Sequence, residues 1–124
     1  MQLYTVQLGQ WRLVPPDVEL VDTTVKSGAK FLAPTWDMVM GVKDGSLTEE
    51  QYTVQYYAMM RESYRRNKEQ FLALLGKPAV ALGCYCKPGD FCHRLLLIDI
   101  LKRIAIVNDI HFEYVEEIKS AIGD

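Results

Sequence analysis

No apolar segment of this chain approaches the roughly 20 consecutive residues that a helix needs to cross a bilayer, which excludes a helical membrane span. The start, Met1-Gln2-Leu3-Tyr4, lacks a charged region followed by an apolar run, so no secretory leader is expected and the chain reads as soluble and cytoplasmic. No excess of one charge is present either: 14 basic against 16 acidic residues give a formal charge of -2. That balance gives no overall sign of a nucleic-acid-coating or membrane-surface protein, leaves a nucleic-acid partner open, and is compatible with a local basic pocket. Cysteine is scarce, with three residues, an odd number, gathered in one short segment. Such a set does not make a disulfide framework and fits reduced, intracellular thiols. Internal repeats, low-complexity tracts and linkers are absent. With 124 residues and 49% hydrophobic content, the chain is expected to form one domain over residues 1–124 around a real core.

What is present reads as alternating strands and helices. Leu3 to Leu8 mixes β-branched and aromatic residues before Gly9 and suits a first strand, and Pro15-Pro16 then breaks the chain. Val18 to Asp22 is a second short strand that leaves Asp22, Thr23 and Thr24 at its end. A loop follows, and a short helix is expected near Pro34. Ser46-Leu47-Thr48-Glu49 has the form of a capping box for a long helix carrying Tyr52, Tyr56, Met59 and Met60 at helical spacing. That helix is expected to pass through a charged middle to Phe71, Leu74 and Leu75 and to stop at Gly76 and Pro78. Leu95 to Ile106 is apolar nearly all round and predicts a buried helix, and His111 to Val115 alternates as a last strand. His111 itself reads as structural. The pattern predicts an α/β fold: a small, mostly parallel sheet with helices on both faces and ligands at the carboxyl ends of the strands.

The reactive residues lie between the third strand and the buried helix. Ala79 to Cys84 is a short apolar run, as in a strand covered on both faces. Pro88-Gly89 predicts a turn, and Asp90 predicts a helix N-cap. Cys92 and His93 then fall in a first helical turn, where unpaired N–H groups and the helix dipole favour a thiolate or an anion. On that reading Cys92, near Arg94, is the more reactive thiol and Cys84 the buried one. The segment Cys84-Tyr85-Cys86-Lys87-Pro88-Gly89-Asp90-Phe91-Cys92-His93-Arg94 resembles the signature of the domain-of-unknown-function family 488. The resemblance extends to Tyr4-Thr5, to Leu32-Ala33-Pro34 and to Glu50-Gln51-Tyr52-Thr53 with Tyr56. It implies a site in which paired cysteines are catalytic. Family members often carry Glu where this chain has Cys86 and His where it has Leu95, so no role is carried over to those two positions.

Four chemistries compete for this segment. A cysteine nucleophile would use Cys84 or Cys92 with His93 and Arg94. The spacing of a protein tyrosine phosphatase loop fails, because it would place the arginine at Cys92 or Asp90. Zinc could be held by Cys84, Cys86, Cys92 and His93, although adjacent residues on a helix point in different directions. Cys-x-Cys is not the Cys-x-x-Cys of thioredoxin-like redox proteins. A binding pocket without turnover would use Arg94, Lys87 and the helix N-terminus for a phosphate, with Tyr85 or Trp36 stacking on a base. Against these stands a structural reading, in which the cysteines are small apolar side chains, Arg94 pairs with Asp22 or Asp90, and Tyr52 and Tyr56 pack in the core. The expected function is an enzyme, a cysteine-dependent hydrolase or transferase, acting on a nucleotide, nucleoside or modified base. Cys84, Cys92, His93 and Arg94 are the expected catalytic residues, and Asp22, Thr23, Trp36, Tyr85, Lys87 and Arg94 line the substrate site. The expected partner is a small anionic or nucleotide-like ligand. No cofactor is required, with zinc as the alternative, and the competing functions are nucleotide capture without catalysis and a structural zinc site.

Overall fold

A computed structural model describes residues 1–87 and 90–120. Strand β3 (Ala79–Cys84) carries no charged residue and is buried at every position, so it lies inside a four-stranded sheet of order β2-β3-β1-β4. Strands β1 (Gln2–Gln7), β2 (Glu19–Asp22) and β4 (Glu113–Ile118) complete it, and every pairing is parallel. The edge strands β2 and β4 carry the exposed glutamates Glu19, Glu113 and Glu116, charges that discourage edge-to-edge pairing. Register aligns Gln7 with Cys84 and Asp22 with Gly83, so three strands end at one level.

The two faces differ in thickness. Leu3, Val80 and Leu82 face α1 (Trp36–Asp44), α2 (Glu49–Arg66), α3 (Lys68–Leu75) and α4 (His93–Val107), in a core with Met38, Tyr56, Met60, Phe71, Leu97 and Leu101. The other face, Val6, Ala79 and Ala81, is covered by Val14, Val18 and a 3-10 helix (Leu8–Leu13). A Cβ at Gly83 would stand 2.6 Å from Leu8 Cδ2, so the missing side chain lets that helix close onto the sheet. The chain thus leaves β1 on the thin face and moves one way across the sheet, then leaves β2 and β3 on the α-helical face and moves the other way. Reversing both direction and face keeps all three crossovers of one hand, as the chirality of parallel connections requires. Neighbouring strands β1 and β3 send their connections to opposite faces, and the crevice between their carboxyl ends is where open α/β sheets bind ligands.

Local signals moved some boundaries. The capping box is made by Thr48 and Gln51, not Ser46 and Glu49: Thr48 Oγ1 accepts from the Gln51 N–H at 3.0 Å and Gln51 Oε1 from the Thr48 N–H at 2.9 Å. Ser46 instead belongs to the preceding turn, bonded to Asp44 after Gly45 closes α1 at a φ of 83°. The expected long helix divides at Asn67, which leaves helical geometry at φ -124°, and α3 then delivers Phe71 edge-on to Phe31 and Tyr64. The short helix expected at Pro34 starts at Trp36, capped by Thr35. The turn expected at Pro88-Gly89 lies outside the described residues. Among the described residues no helix is long and apolar enough to cross a membrane.

The loop after β2 is built on Gly28. Its N–H donates to Thr24 O at 2.9 Å, and a Cβ there would fall against backbone atoms of Thr23 and Thr24, which cannot swing aside. Gly28→Ala is therefore expected to destabilise by about 1–3 kcal/mol, a fall of roughly 4–8 °C in melting temperature for each kcal/mol. Gly9→Ala, where the same atom meets open space, is the matched control and should leave the melt in place.

Candidate active site at the carboxyl ends of the strands

Cys84 ends β3, and α4 begins at His93 with Cys92 as its N-cap in extended geometry. A serine, threonine or aspartate there would cap the helix; Cys92 makes no side-chain cap bond, and Asp90 does not take the position. The Cys92 sulfur instead lies at bonding distance from the Cys84 sulfur, so these two cysteines pair as a disulfide where reduced thiols were expected, and Cys86 is the free cysteine among the described residues. Their Cα atoms stand 7.9 Å apart, wider than the roughly 4.4–6.8 Å that disulfides usually span, so two side chains reach toward each other from separated backbones. Cys86 is half-buried and stands apart from this pair.

Arg94, in the first turn of α4, has no solvent exposure. Its Nη1 donates to Cys84 Sγ at 2.7 Å and to Cys86 O at 3.1 Å. Its Nε and Nη2 donate to the two carboxylate oxygens of Glu117 at 3.3 and 3.1 Å. Arg94 thus turns inward, and its carboxylate partner is Glu117 rather than Asp22 or Asp90. The guanidinium lies on Cys84 rather than Cys92, because the helix carries Arg94 past its own cap residue toward the end of β3.

His93 is buried between Thr23 and Tyr56. Thr23 Oγ1 gives its proton to Gly83 O at 2.9 Å and so can only accept from His93 Nε2, 2.8 Å away. The second neighbour of Nε2, Thr23 O at 2.9 Å, is also an acceptor. Two acceptors place the proton on Nε2 and leave Nδ1 with a free lone pair, 3.7 Å from Cys92 Sγ. Burial drives the His93 pKa down to about 4; the bond to Thr23 opposes this and the charge of Arg94 adds to it. The imidazole is neutral at pH 7. Nearby, burial also pushes the Tyr52 and Tyr56 hydroxyls up, Tyr52 with a further push from Cys86. Both rings pack in the core, Tyr56 bonded to Leu32 O at 2.6 Å and Tyr52 edge-on to Phe91.

The other expected ligand-facing residues separate into groups. Asp22 accepts from Thr24 N–H, Thr24 Oγ1 and Ser27 Oγ at 2.6–2.8 Å. Its partial burial would raise its pKa, but the bonds from Ser27 and Thr24 outweigh that and lower it. Its carboxylate shapes the loop, and Thr23 anchors His93. Tyr85 and Lys87 are exposed beside the cysteines. Trp36 is exposed at the start of α1, next to a surface hollow of about 480 Å3 lined by Thr35, Met38, Leu47 and Gln55 that does not reach the cysteines.

Glu117 was not legible in the sequence. Simple alternation from the inward-facing Tyr114 would turn Glu116 to the helical face. A bulge in the β1–β4 pairing between Leu3 and Tyr4 shifts the register, sets Glu117 opposite Thr5, and aims its carboxylate at Arg94. One donor atom each from Cys84, Cys92 and His93 lies within 4.8 Å of the others, close enough to bind a metal ion; Cys86 is not part of that set.

The buried His93 makes stability depend on pH. Its folded pKa, about 4, lies below the ordinary value near 6.5, so between these values the unfolded chain binds more protons and stability rises with pH. The contribution, on the order of 3 kcal/mol, is complete above about pH 6.5 and is lost as pH falls toward 4. Chemical denaturation of wild type and His93→Gln across this window checks it: the difference between them should shrink as the pH falls, and a pH-independent difference would mean that His93 takes up its proton as readily in the fold as in the unfolded chain.

A family model described as the active DUF488-N3 subclade matches residues 3–105. No curated protein and no solved structure matches. The matched segment runs from β1 to the last turns of α4 and contains the whole of the Cys84–Arg94 cluster. The chain therefore belongs to DUF488-N3a, within the DUF488 family.

Proposed function

We propose that this protein is a cysteine-dependent enzyme acting on a nucleotide, nucleoside or modified base, with Cys84, in the reduced form of the Cys84–Cys92 pair, as the reacting thiolate. The observation that carries the proposal is the 2.7 Å bond from a fully buried guanidinium to the Cys84 sulfur. A thiolate, not a thiol, is the nucleophile, and a fixed positive charge against the sulfur favours the anion. Cys92 is the second thiol, its sulfur facing the unprotonated Nδ1 of His93, which can accept a hydrogen bond from it and hold it in place. The substrate class rests on position: the cysteines sit at the β1/β3 switch of an open α/β sheet, with the helix start of α4 favourable to an anionic group. Tyr85, 68% exposed immediately after Cys84, offers a face to a base. Arg94 takes no part in holding substrate on this reading, since it has no solvent exposure and Cys84, Cys86 and Glu117 engage four of its five N–H donors.

A metal is the second reading, favoured by the convergence of Cys84, Cys92 and His93. Against it, Arg94 already supplies positive charge to the Cys84 sulfur, where an ion would add a second cation. Native mass spectrometry of the freshly purified protein distinguishes the two: a stoichiometric zinc adduct supports the metal reading and its absence supports the thiol.

Turnover is tested by incubating wild type and Cys84→Ala with nucleotides, nucleosides and free bases and following each by mass. Wild type is expected to consume at least one of them, and Cys84→Ala to be slower by about a hundredfold or more, as for loss of a covalent nucleophile. Equal turnover in the two proteins would remove Cys84 from the chemistry. Tight binding with no consumption would make the protein a nucleotide-capture module.

A further inference from the structure

We infer that Glu117, on the edge strand β4, is a positioning residue of the cysteine site, holding the Arg94 guanidinium at the angle that aims Nη1 at the Cys84 sulfur. The inference rests on the reading of Cys84 as the reacting thiol and adds a residue that lies beyond the segment matched by the family model.

A guanidinium is a rigid planar fork, so two bonds along one edge fix both its plane and its rotation. Glu117 supplies those two bonds, at Nε and Nη2, and the remaining corner, Nη1, then points to Cys84 Sγ and Cys86 O. Cys84 and Cys86 alone meet only that corner and leave the fork free to turn about it. The carboxylate has a second effect. A side chain with no solvent contact needs a counter-charge, and the cysteine provides one only while it is an anion. Glu117 provides one throughout, so Arg94 stays seated while the Cys84 sulfur is covalently occupied. Glu116, its neighbour, is exposed on the same strand and makes no bond to Arg94. The position of the charge, not its presence on β4, is therefore what distinguishes Glu117.

The test uses protein with Cys86→Ser and Cys92→Ser, in which Cys84 is the remaining thiol, and measures its rate of modification by a small methanethiosulfonate at neutral pH. In Glu117→Gln an amide N–H meets a guanidinium N–H, two donors face each other, and the fork must rotate off the sulfur. The rate is expected to fall about tenfold, and Arg94→Gln to fall at least as far. The decisive comparison is the double variant, which should be no slower than Arg94→Gln alone, because Glu117 acts only through Arg94. Glu116→Gln should match wild type. An unchanged or faster rate in Glu117→Gln, or effects that multiply in the double variant, would overturn the assignment. Should Glu117→Gln not fold, Glu117→Asp keeps the charge but shortens the reach by one methylene, and must slow the reaction in the same direction. If Arg94→Gln itself leaves the rate unchanged, the reading of Cys84 falls and the role of Glu117 falls with it; if only Glu117→Gln is silent, the reading of Cys84 stands and Glu117 is structural.

Discussion

A guanidinium with no water around it is tolerated in a protein only when every charge it carries is answered, and Arg94 is answered by Glu117, the Cys84 sulfur and the Cys86 carbonyl. These partners come from β4, the end of β3 and the segment after it, while Arg94 itself comes from the start of α4. One side chain therefore ties together the pieces that the topology brings to the carboxyl edge of the sheet. Removing one member of a buried pair of this kind costs about 3–5 kcal/mol, a large share of the stability of a small domain. The same arrangement places a positive charge against a sulfur, so what stabilises the edge is also what the proposed chemistry draws on.

A second set of bonds works beside it without charge. Thr23 is held to Gly83 O and in turn holds His93 Nε2, so the loop after β2, the end of β3 and the first residue of α4 are joined by neutral hydrogen bonds. Because both neighbours of Nε2 accept, the imidazole has one tautomer, and burial keeps it uncharged, with its unprotonated nitrogen toward Cys92. The two cysteines thus stand in different surroundings although their sulfurs touch: Cys84 faces a cation and Cys92 a neutral base. Asp22 and Gly28 shape the loop that carries Thr23, and the Asp22 charge also acts on His93.

The parts of this arrangement that follow from local pattern were legible in the sequence. The uncharged run into Cys84 gave a central strand, the spacing of Tyr52, Tyr56 and Met60 gave the buried face of α2, and the density of Cys, His and Arg marked the segment whose side chains converge. What depends on long-range geometry was not. Which cysteine Arg94 meets is set by the rotation of α4 against β3, and no spacing within the Cys-His-Arg run contains that angle. Glu117 is hidden by a single bulge, which reverses the alternation of β4 and turns inward a residue that reads as a surface charge. Thr23 read as a ligand contact because it ends a strand at the ligand-binding edge, whereas its hydroxyl is used inside the protein. The capping box slipped by two residues because Ser46 and Thr48 are both good caps, and only the closure of α1 at Gly45 decides between them.

The central claim is that the buried positive charge belongs to Cys84. The most direct measurement is the ultraviolet thiolate absorbance, at neutral pH, of two proteins that each retain a single cysteine, Cys84 or Cys92. It requires no reagent to enter the buried site. The Cys84 protein is expected to be ionised and to lose its signal on Arg94→Gln, while the Cys92 protein is expected to be protonated, since burial without a charged partner favours the thiol. An ionised Cys92 beside a protonated Cys84 would contradict it.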